Sequence, residues 1–207
     1  KMVRRVNHFL QGWRLYGFHG GLRGNIKGPN DFVIEGRKLS IDECVQNISK
    51  LSRILEEENL LFRVALENIY GADIESPSIG MDKNELDKIA RHIGILLDLG
   101  HMAVNCAYRN IELDHVSFNN LPLREIHISF LRPEIKKFSA KYLDKNLMYW
   151  DHYPYSETEV NQQILRAVER LRKRTELITV EISAPLEEMK STLELLQFLR
   201  HKGENTI

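Results

Sequence analysis

The sequence predicts an α/β fold in which parallel strands alternate with helices, and it favours a βα barrel. Short apolar runs alternate with longer amphipathic stretches along the 207 residues, a pattern typical of βαβ units. A doubly wound sheet would often carry a G-x-G-x-x-G fingerprint, which this sequence lacks. A βα barrel instead places polar residues at the carboxyl ends of many strands, and that pattern is present. We therefore expect one TIM-barrel domain over residues 1–207.

The composition is that of an ordinary globular protein and disfavours several other classes. Hydrophobic residues make up 43% and charged residues 28% of the chain, which argues against wholesale disorder. The 29 Lys and Arg residues balance the 29 Asp and Glu residues, so a nucleic-acid partner would depend on a local basic patch and is not favoured. With two cysteines, no apolar run of 18 residues and no apolar leader segment, we expect a cytoplasmic protein that does not span a membrane.

Periodicity and capping signals place the elements along the chain. Strands are predicted at five short apolar runs: 14–19, 62–69, 93–99, 124–130 and 177–183. Helices are predicted over 41–58 after a capping box at Ser40, over 82–92, from a cap at Ser156 to about 174, and over 186–200. The glycine-bearing stretch 22–39 is predicted as a long irregular loop, and 131–150 is ambiguous with a long loop.

Ionisable or imidazole side chains lie at the end of each predicted strand or within it. They are His19, Glu67, Asp98, His127 and Glu181. The first two intervals after Glu67 are 31 and 29 residues, about one βα unit each, so these side chains should meet at one end of a barrel. A buried carboxylate is unfavourable unless it is paired or bound to a cation. Carboxylate oxygens with imidazole nitrogen are ligands for a divalent cation, and we expect Mn, Zn, Mg or Fe.

Each of these residues also has an ordinary structural explanation when it is taken alone. A strand-end histidine such as His19 or His127 is more often a hydrogen-bonded core residue than a ligand. Glu67 could pair with a basic side chain, and Asp98, two residues before Gly100, could simply form a turn. The metal interpretation depends on all five occurring at comparable strand positions.

Four segments together resemble the xylose-isomerase-like TIM-barrel superfamily. They are Leu66-Glu67-Asn68, Leu97-Asp98-Leu99-Gly100-His101, Glu125-Ile126-His127-Ile128 and Val180-Glu181. The resemblance runs from about residue 14 to residue 200, and the D-x-G-H segment is its most specific part. This superfamily includes sugar isomerases and epimerases, class II apurinic/apyrimidinic endonucleases and a branch of multinuclear iron oxygenases.

The resemblance implies a set of metal ligands and the roles of its neighbours. The ligands would be Glu67, Asp98, His127 and Glu181, and in the epimerase branch the two glutamates would also exchange the proton of a substrate carbon. His101 and His19 would contact the substrate in that branch and would hold additional zinc ions in the endonuclease branch.

A late Asp-x-His pair of the endonuclease branch has an imperfect match in this chain. The nearest residues are Asp151 and His152, which are adjacent rather than separated by one residue. This departure argues against a complete trinuclear site. The ordinary alternative is a loop turn that precedes the helix capped by Ser156.

The length disagrees with a complete barrel. A TIM barrel needs about 250 residues and eight strands, so we expect an incomplete barrel or one truncated at its N-terminus. An incomplete barrel has an open edge that a partner chain could cover, which makes a homo-oligomer an expected arrangement.

The favoured activity is a metal-dependent isomerase or epimerase that acts on a small sugar or hydroxy-carbonyl compound through an enediolate. Three alternatives stay open: a metal-dependent phosphodiesterase of the endonuclease type, a multinuclear iron oxygenase, and a degenerate barrel without catalytic activity. Metal identity and count would separate these four hypotheses.

Overall fold

The computed structural model describes most of the chain between residues 16 and 197. The described ranges are 16–19, 26–27, 33–34, 41–69, 83–143, 150–175, 177–183 and positions 185, 187, 189–190, 192–194 and 197. These residues form an α/β structure around a parallel sheet, in agreement with the predicted class. Among the described residues, the edge strands of this sheet are β1 (Tyr16–His19) and β7 (Leu177–Val180). Closure of the sheet into a barrel is not seen in this part of the chain.

The main sheet has five strands in the order β1-β4-β5-β6-β7. Parallel pairing is observed between β1 and β4, between β4 and β5, and between β6 and β7. The five strands are β1 (Tyr16–His19), β4 (Val64–Glu67), β5 (Gly94–Asp98), β6 (Leu123–Ile128) and β7 (Leu177–Val180). All five predicted strand positions are therefore confirmed, with shorter bounds.

A second, antiparallel pair lies where the sequence predicted an irregular loop. Strand β2 (Ile26–Lys27) pairs with β3 (Val33–Ile34), so the prediction of an irregular loop over 22–39 is wrong at these positions. Two-residue strands carry too little periodicity to be recognised among glycines.

The helices are α1 (Ile41–Glu57), α2 (Lys83–Ile89), α3 (Leu99–Arg109) and α4 (Glu159–Leu171). Helices α1, α2 and α4 confirm predictions; for example, α1 buries Cys44, Ile48 and Leu55 on one face. Helix α3 was not predicted. The cap of α4 also differs from the prediction, because Thr158 accepts the N–H of Asn161 while Ser156 lies outside the helix. The described positions from 187 to 197 are helical, as predicted.

The chain divides into two compact units. One comprises Lys1–Leu97 with Phe118–Arg124, and the other comprises Asp98–Ser117 with Glu125–Ile207. In the first unit, buried Leu66, Leu86 and Ile95 belong to the core. In the second unit, Ile126, Phe130 and Ile164 are fully buried. The prediction of a single domain stays a prediction.

A buried asparagine fixes the chain that follows β6 in the second unit. Asn161 of α4 is fully buried, accepts the N–H of Leu131 at 2.9 Å and donates to the Leu131 carbonyl at 3.1 Å. The same amide donates to the carbonyl and hydroxyl oxygens of Ser156. These bonds satisfy backbone groups that a buried loop would otherwise leave unpaired.

Among the described helices, none has the length and apolar character that a membrane crossing requires.

Candidate metal centre

Asp98 lies at the junction of β5 and α3, where it caps the helix and faces the candidate site. Its side chain is fully buried. The Oδ1 atom accepts the backbone N–H of His101 at 2.7 Å, as expected of an N-cap residue. The Oδ2 atom lies 3.9 Å from His101 Nδ1 and 4.0 Å from His127 Nδ1. One carboxylate therefore starts the helix with one oxygen and presents the other to two imidazole rings.

Gly100 permits this close arrangement at the first turn of α3. A Cβ at this position would collide with Ser129 Oγ and would lie 3.2 Å from Asp98 Oδ1. Ser129 follows β6 directly, so the glycine lets the helix start pack against the end of that strand. The D-x-G-H spacing thus has a packing reason in addition to any chemical one.

His127 is held between two carboxylates at opposite ring nitrogens. Its Nδ1 lies 2.9 Å from Glu181 Oε2, and its Nε2 lies 3.2 Å from Glu125 Oε1. The ring occupies β6, and Glu181 directly follows β7, its parallel partner. Since carboxyl ends of paired parallel strands lie at the same sheet edge, the fold brings these two residues together.

Asp98, His127 and Glu181 form the first ligand group. Each offers one donor atom, and these atoms lie within 4.8 Å of one another. Two carboxylates at this spacing repel each other unless a positive charge lies between them. Two oxygens and one imidazole nitrogen suit a hard or borderline divalent cation, so the residues fit the metal that the sequence predicted.

His101, Asp151 and His152 form the second ligand group in the same unit. Their donor atoms also lie within 4.8 Å of one another. Asp151 is fully buried, with Oδ2 at 3.4 Å from His101 Nε2 and Oδ1 at 3.6 Å from His152 Nε2. The imidazole rings of His101 and His152 pack edge to face, with their centroids 5.6 Å apart. The adjacency of Asp151 and His152 therefore does not keep them from joining one cluster with His101.

The backbone at His152 is strained and is held in place by its neighbours. Its φ is 64°, in the left-handed region that residues other than glycine seldom adopt. The His152 carbonyl accepts the N–H of Ser183 at 2.8 Å, and Nδ1 lies 3.2 Å from the Glu181 carbonyl oxygen. Strain of this kind persists where surrounding bonds enforce it, often at functional sites. These contacts attach the second group to the segment that carries Glu181.

Two predicted site residues lie in the first unit. Glu67 ends β4 and is half-buried, and its register partners are His19 of β1 and Leu96 of β5. Both His19 and Glu67 thus occupy the carboxyl ends of parallel strands. Their roles as ligands or substrate contacts stay predictions.

Glu125 and Thr179 contact the first ligand group and were not singled out from the sequence. Glu125 is 7% exposed, and Thr179 donates its hydroxyl hydrogen to the same Glu125 Oε1 that faces His127. A usable signal existed for Glu125, since residues two apart on a strand share one face of the sheet. A carboxylate two residues before a candidate ligand histidine on a buried strand could have been selected on that basis.

Comparison with known proteins finds remote structural similarity to solved structures. No protein-family model matches the chain, and no curated protein matches it. A solved structure described as a D-tagatose 3-epimerase-like protein is similar, with a TM-score of 0.49 and 15% sequence identity. The similarity covers 78% of this chain and 54% of that one, so the chain spans about half the length of the solved protein.

Proposed function

We propose that the chain belongs to a divalent-metal-dependent isomerase or epimerase that acts on a small sugar or hydroxy-carbonyl compound. Asp98, His127 and Glu181 would hold the ion. The observation that carries the proposal is the convergence of three donor atoms within 4.8 Å in the second unit. Full burial of Asp98 adds support, since a buried carboxylate gains most from a nearby cation.

The first ligand group leaves one side open to a small molecule. Nearly half of the Glu181 side chain is exposed (47%), whereas Asp98 is fully buried. A substrate can therefore reach Glu181 from solvent while Asp98 lies behind it. A bound divalent ion would supply Lewis acidity, polarising a carbonyl oxygen and lowering the pKa of the adjacent C–H.

The chain's own groups would move the proton. An ionised Glu181 would accept a proton from the substrate carbon. His127 Nδ1 and Glu181 Oε2 lie 2.9 Å apart, the spacing of two ligands that share one ion, so the fold holds that carboxylate near its proposed position before substrate arrives. Such preorganisation limits the reorganisation needed at the moment of proton transfer.

Elemental analysis combined with one substitution tests the proposal. Purified protein should contain about one divalent ion per chain. Glu181→Gln, which keeps the side-chain shape and removes its charge, should lower turnover on an active sugar or hydroxy-ketone by 100-fold or more. Glu169→Gln is the matched control, because Glu169 is exposed on α4 and lies outside both ligand groups. Metal-free protein, or full activity in the Glu181 variant, would refute the proposal.

A second candidate function follows from the second ligand group. Asp98 Oδ2 is almost equally distant from His101 and His127, so one carboxylate oxygen faces both groups. An arrangement of this kind favours two or more ions, as used by phosphodiesterases and by multinuclear iron oxygenases. Two or three zinc ions per chain would favour the phosphodiesterase, and two or three iron ions would favour the oxygenase.

A further inference from the structure

We infer that Glu125 is a positioning residue that selects the nitrogen through which His127 binds metal. The inference rests on the proposed function, since it concerns the first ligand group. Glu125 accepts the Nε2–H of His127, which leaves the Nδ1 lone pair as the ligand atom. Glu125 would touch neither the ion nor the substrate.

The strand geometry places Glu125 beside the ring. Glu125 and His127 lie two residues apart on β6, so their side chains share one face of the sheet. Glu125 Oε1 lies 3.2 Å from His127 Nε2 and accepts the Thr179 hydroxyl as well. Thr179 is the register partner of His127 on β7. Two neighbouring strands therefore hold the Glu125 carboxylate against the outer nitrogen of the ring.

The chemistry of the carboxylate determines the tautomer. An ionised carboxylate has no hydrogen to donate, so a hydrogen bond to it requires a proton on Nε2. A neutral imidazole with its proton on Nε2 has its lone pair on Nδ1. That nitrogen faces the other two members of the group, at 2.9 Å from Glu181 Oε2 and 4.0 Å from Asp98 Oδ2. The ring is thus oriented with its acceptor nitrogen inward and its donor nitrogen toward Glu125, the pattern of carboxylate–histidine–metal triads.

The burial of Glu125 separates this role from that of an ordinary surface pair. Glu125 is only 7% exposed, whereas Glu181 is an exposed residue. Water competes weakly for a buried carboxylate, so its preference for the Nε2–H hydrogen bond is enforced more strongly. If Glu125 served only to stabilise the sheet through its hydrogen bond with Thr179, replacing it would not change the tautomer of the His127 ring.

The first experiment reads the tautomer in zinc-loaded protein, because without an ion Glu181 Oε2, 2.9 Å from Nδ1, competes with Glu125 for the ring hydrogen. Nitrogen-15 NMR of histidine-labelled protein at pH 8, with the His127 signals assigned by comparison with His127→Gln, should show the proton on Nε2. The Glu125→Ala variant should lose this preference, while Glu125→Gln should keep it because the amide oxygen still accepts. A wild-type His127 with its proton on Nδ1 would overturn the inference without any variant.

The second experiment measures zinc affinity by competition with a chromophoric chelator. Glu125→Ala should weaken zinc binding by about 10- to 100-fold, the range for losing an outer partner of a ligand histidine. Glu125→Gln should stay within a few-fold of wild type. Thr179→Val is the structural control, since it removes the hydroxyl and leaves the Glu125–His127 contact.

The outcomes distinguish this inference from the proposed function. Wild-type protein that binds no zinc refutes the metal site, and the inference that rests on it falls with it. Wild-type affinity in Glu125→Ala overturns the inference and leaves the metal site standing. An affinity in Glu125→Gln as weak as in the alanine variant also overturns it, because charge rather than hydrogen-bond acceptance would then be responsible.

Discussion

Asp98 caps α3 and is a proposed metal ligand, and two substitutions at this position should separate these two roles. Asp98→Asn keeps an oxygen that can accept the His101 N–H, and so preserves the helix cap. It replaces the oxygen that faces His101 and His127 by an amide group that cannot bind a cation. Asp98→Ala removes both functions. We expect the two variants to lose metal affinity alike and to differ in the stability of the metal-free protein.

The magnitudes follow from capping energetics. Loss of an N-cap side chain costs about 1 kcal/mol, and loss of a negative charge at a helix N-terminus costs about 0.3–1 kcal/mol. The alanine variant loses both contributions, so its free energy of unfolding should fall by about 1–2 kcal/mol. The asparagine variant loses only the charge contribution, and relief of repulsion with Glu181 opposes that loss. In a chain of this size, 1 kcal/mol corresponds to about 2–4 °C in Tm.

Calorimetry in the presence of a chelator, followed by zinc titration, measures both effects. Asp42→Asn is the control, because Asp42 is exposed in the first turn of α1 and lies outside the ligand groups. We expect both Asp98 variants to bind zinc at least about 100-fold more weakly than wild type, more than is lost with an outer partner. Equal Tm values for the two metal-free variants would refute the capping argument. Wild-type zinc affinity in Asp98→Asn would remove Asp98 from the ligand set.

Three further predictions concern the surroundings of the site. Gly100→Ala should lower the free energy of unfolding by about 1–2 kcal/mol in urea titrations, because the collision with Ser129 outweighs the gain in helix propensity. Adding Ser129→Ala should recover part of this loss, and a Gly100→Ala variant more stable than wild type would contradict the packing. Asn161→Ala should cost about 2–4 kcal/mol by leaving the backbone of Leu131 unsatisfied, and a loss below about 1 kcal/mol would contradict that role. Burial raises the pKa of Cys106 from 9.0 to about 12, so peptide-resolved alkylation of its thiol at pH 8 should be about a thousandfold slower than in urea-unfolded protein. The free energy of unfolding should fall between pH 9 and 12, because the unfolded chain loses the thiol proton first. Equal alkylation rates in folded and unfolded protein would contradict the burial.

The strands could be predicted because their apolar runs are short and bounded by polar residues. Helix α3 could not, because its burial hides the usual signal. Every residue from Leu99 to Ala107 is buried, and the polar side chains His101 and Asn105 are buried as well, so the helix lacks the exposed charged face that usually marks a surface helix. A glycine in its first turn further weakens the helical pattern. The polar residues at its start were found from the strand before it, whose end they mark.

The candidate site was predictable to the extent that it lies at strand ends. Asp98, His127 and Glu181 each occur at or beside the carboxyl end of a strand, and parallel pairing places such ends at the same edge of the sheet. The second ligand group includes Asp151 and His152, which lie in an irregular segment. Their convergence on His101 depends on a left-handed backbone at His152, which no local sequence pattern specifies. Glu125 was missed although the candidate ligand His127, two residues later on the same strand, already indicated which face of that strand points to the site.

Under the proposed function, the number of bound ions would decide the reaction class, and Asp98 would be the ligand that both groups share. Its Oδ2 lies 3.9 Å from one histidine and 4.0 Å from the other, whereas metal–ligand bonds are about 2.0–2.2 Å long. A single ion in the first group would leave His101 and Asp151 free of metal and facing the substrate, which suits proton exchange at carbon. Ions in both groups would make Asp98 a shared ligand and hold two charges close together, which suits activation of water or dioxygen. The same side chains thus support either chemistry, and because Asp98 also starts α3, occupancy of either group should stabilise that helix.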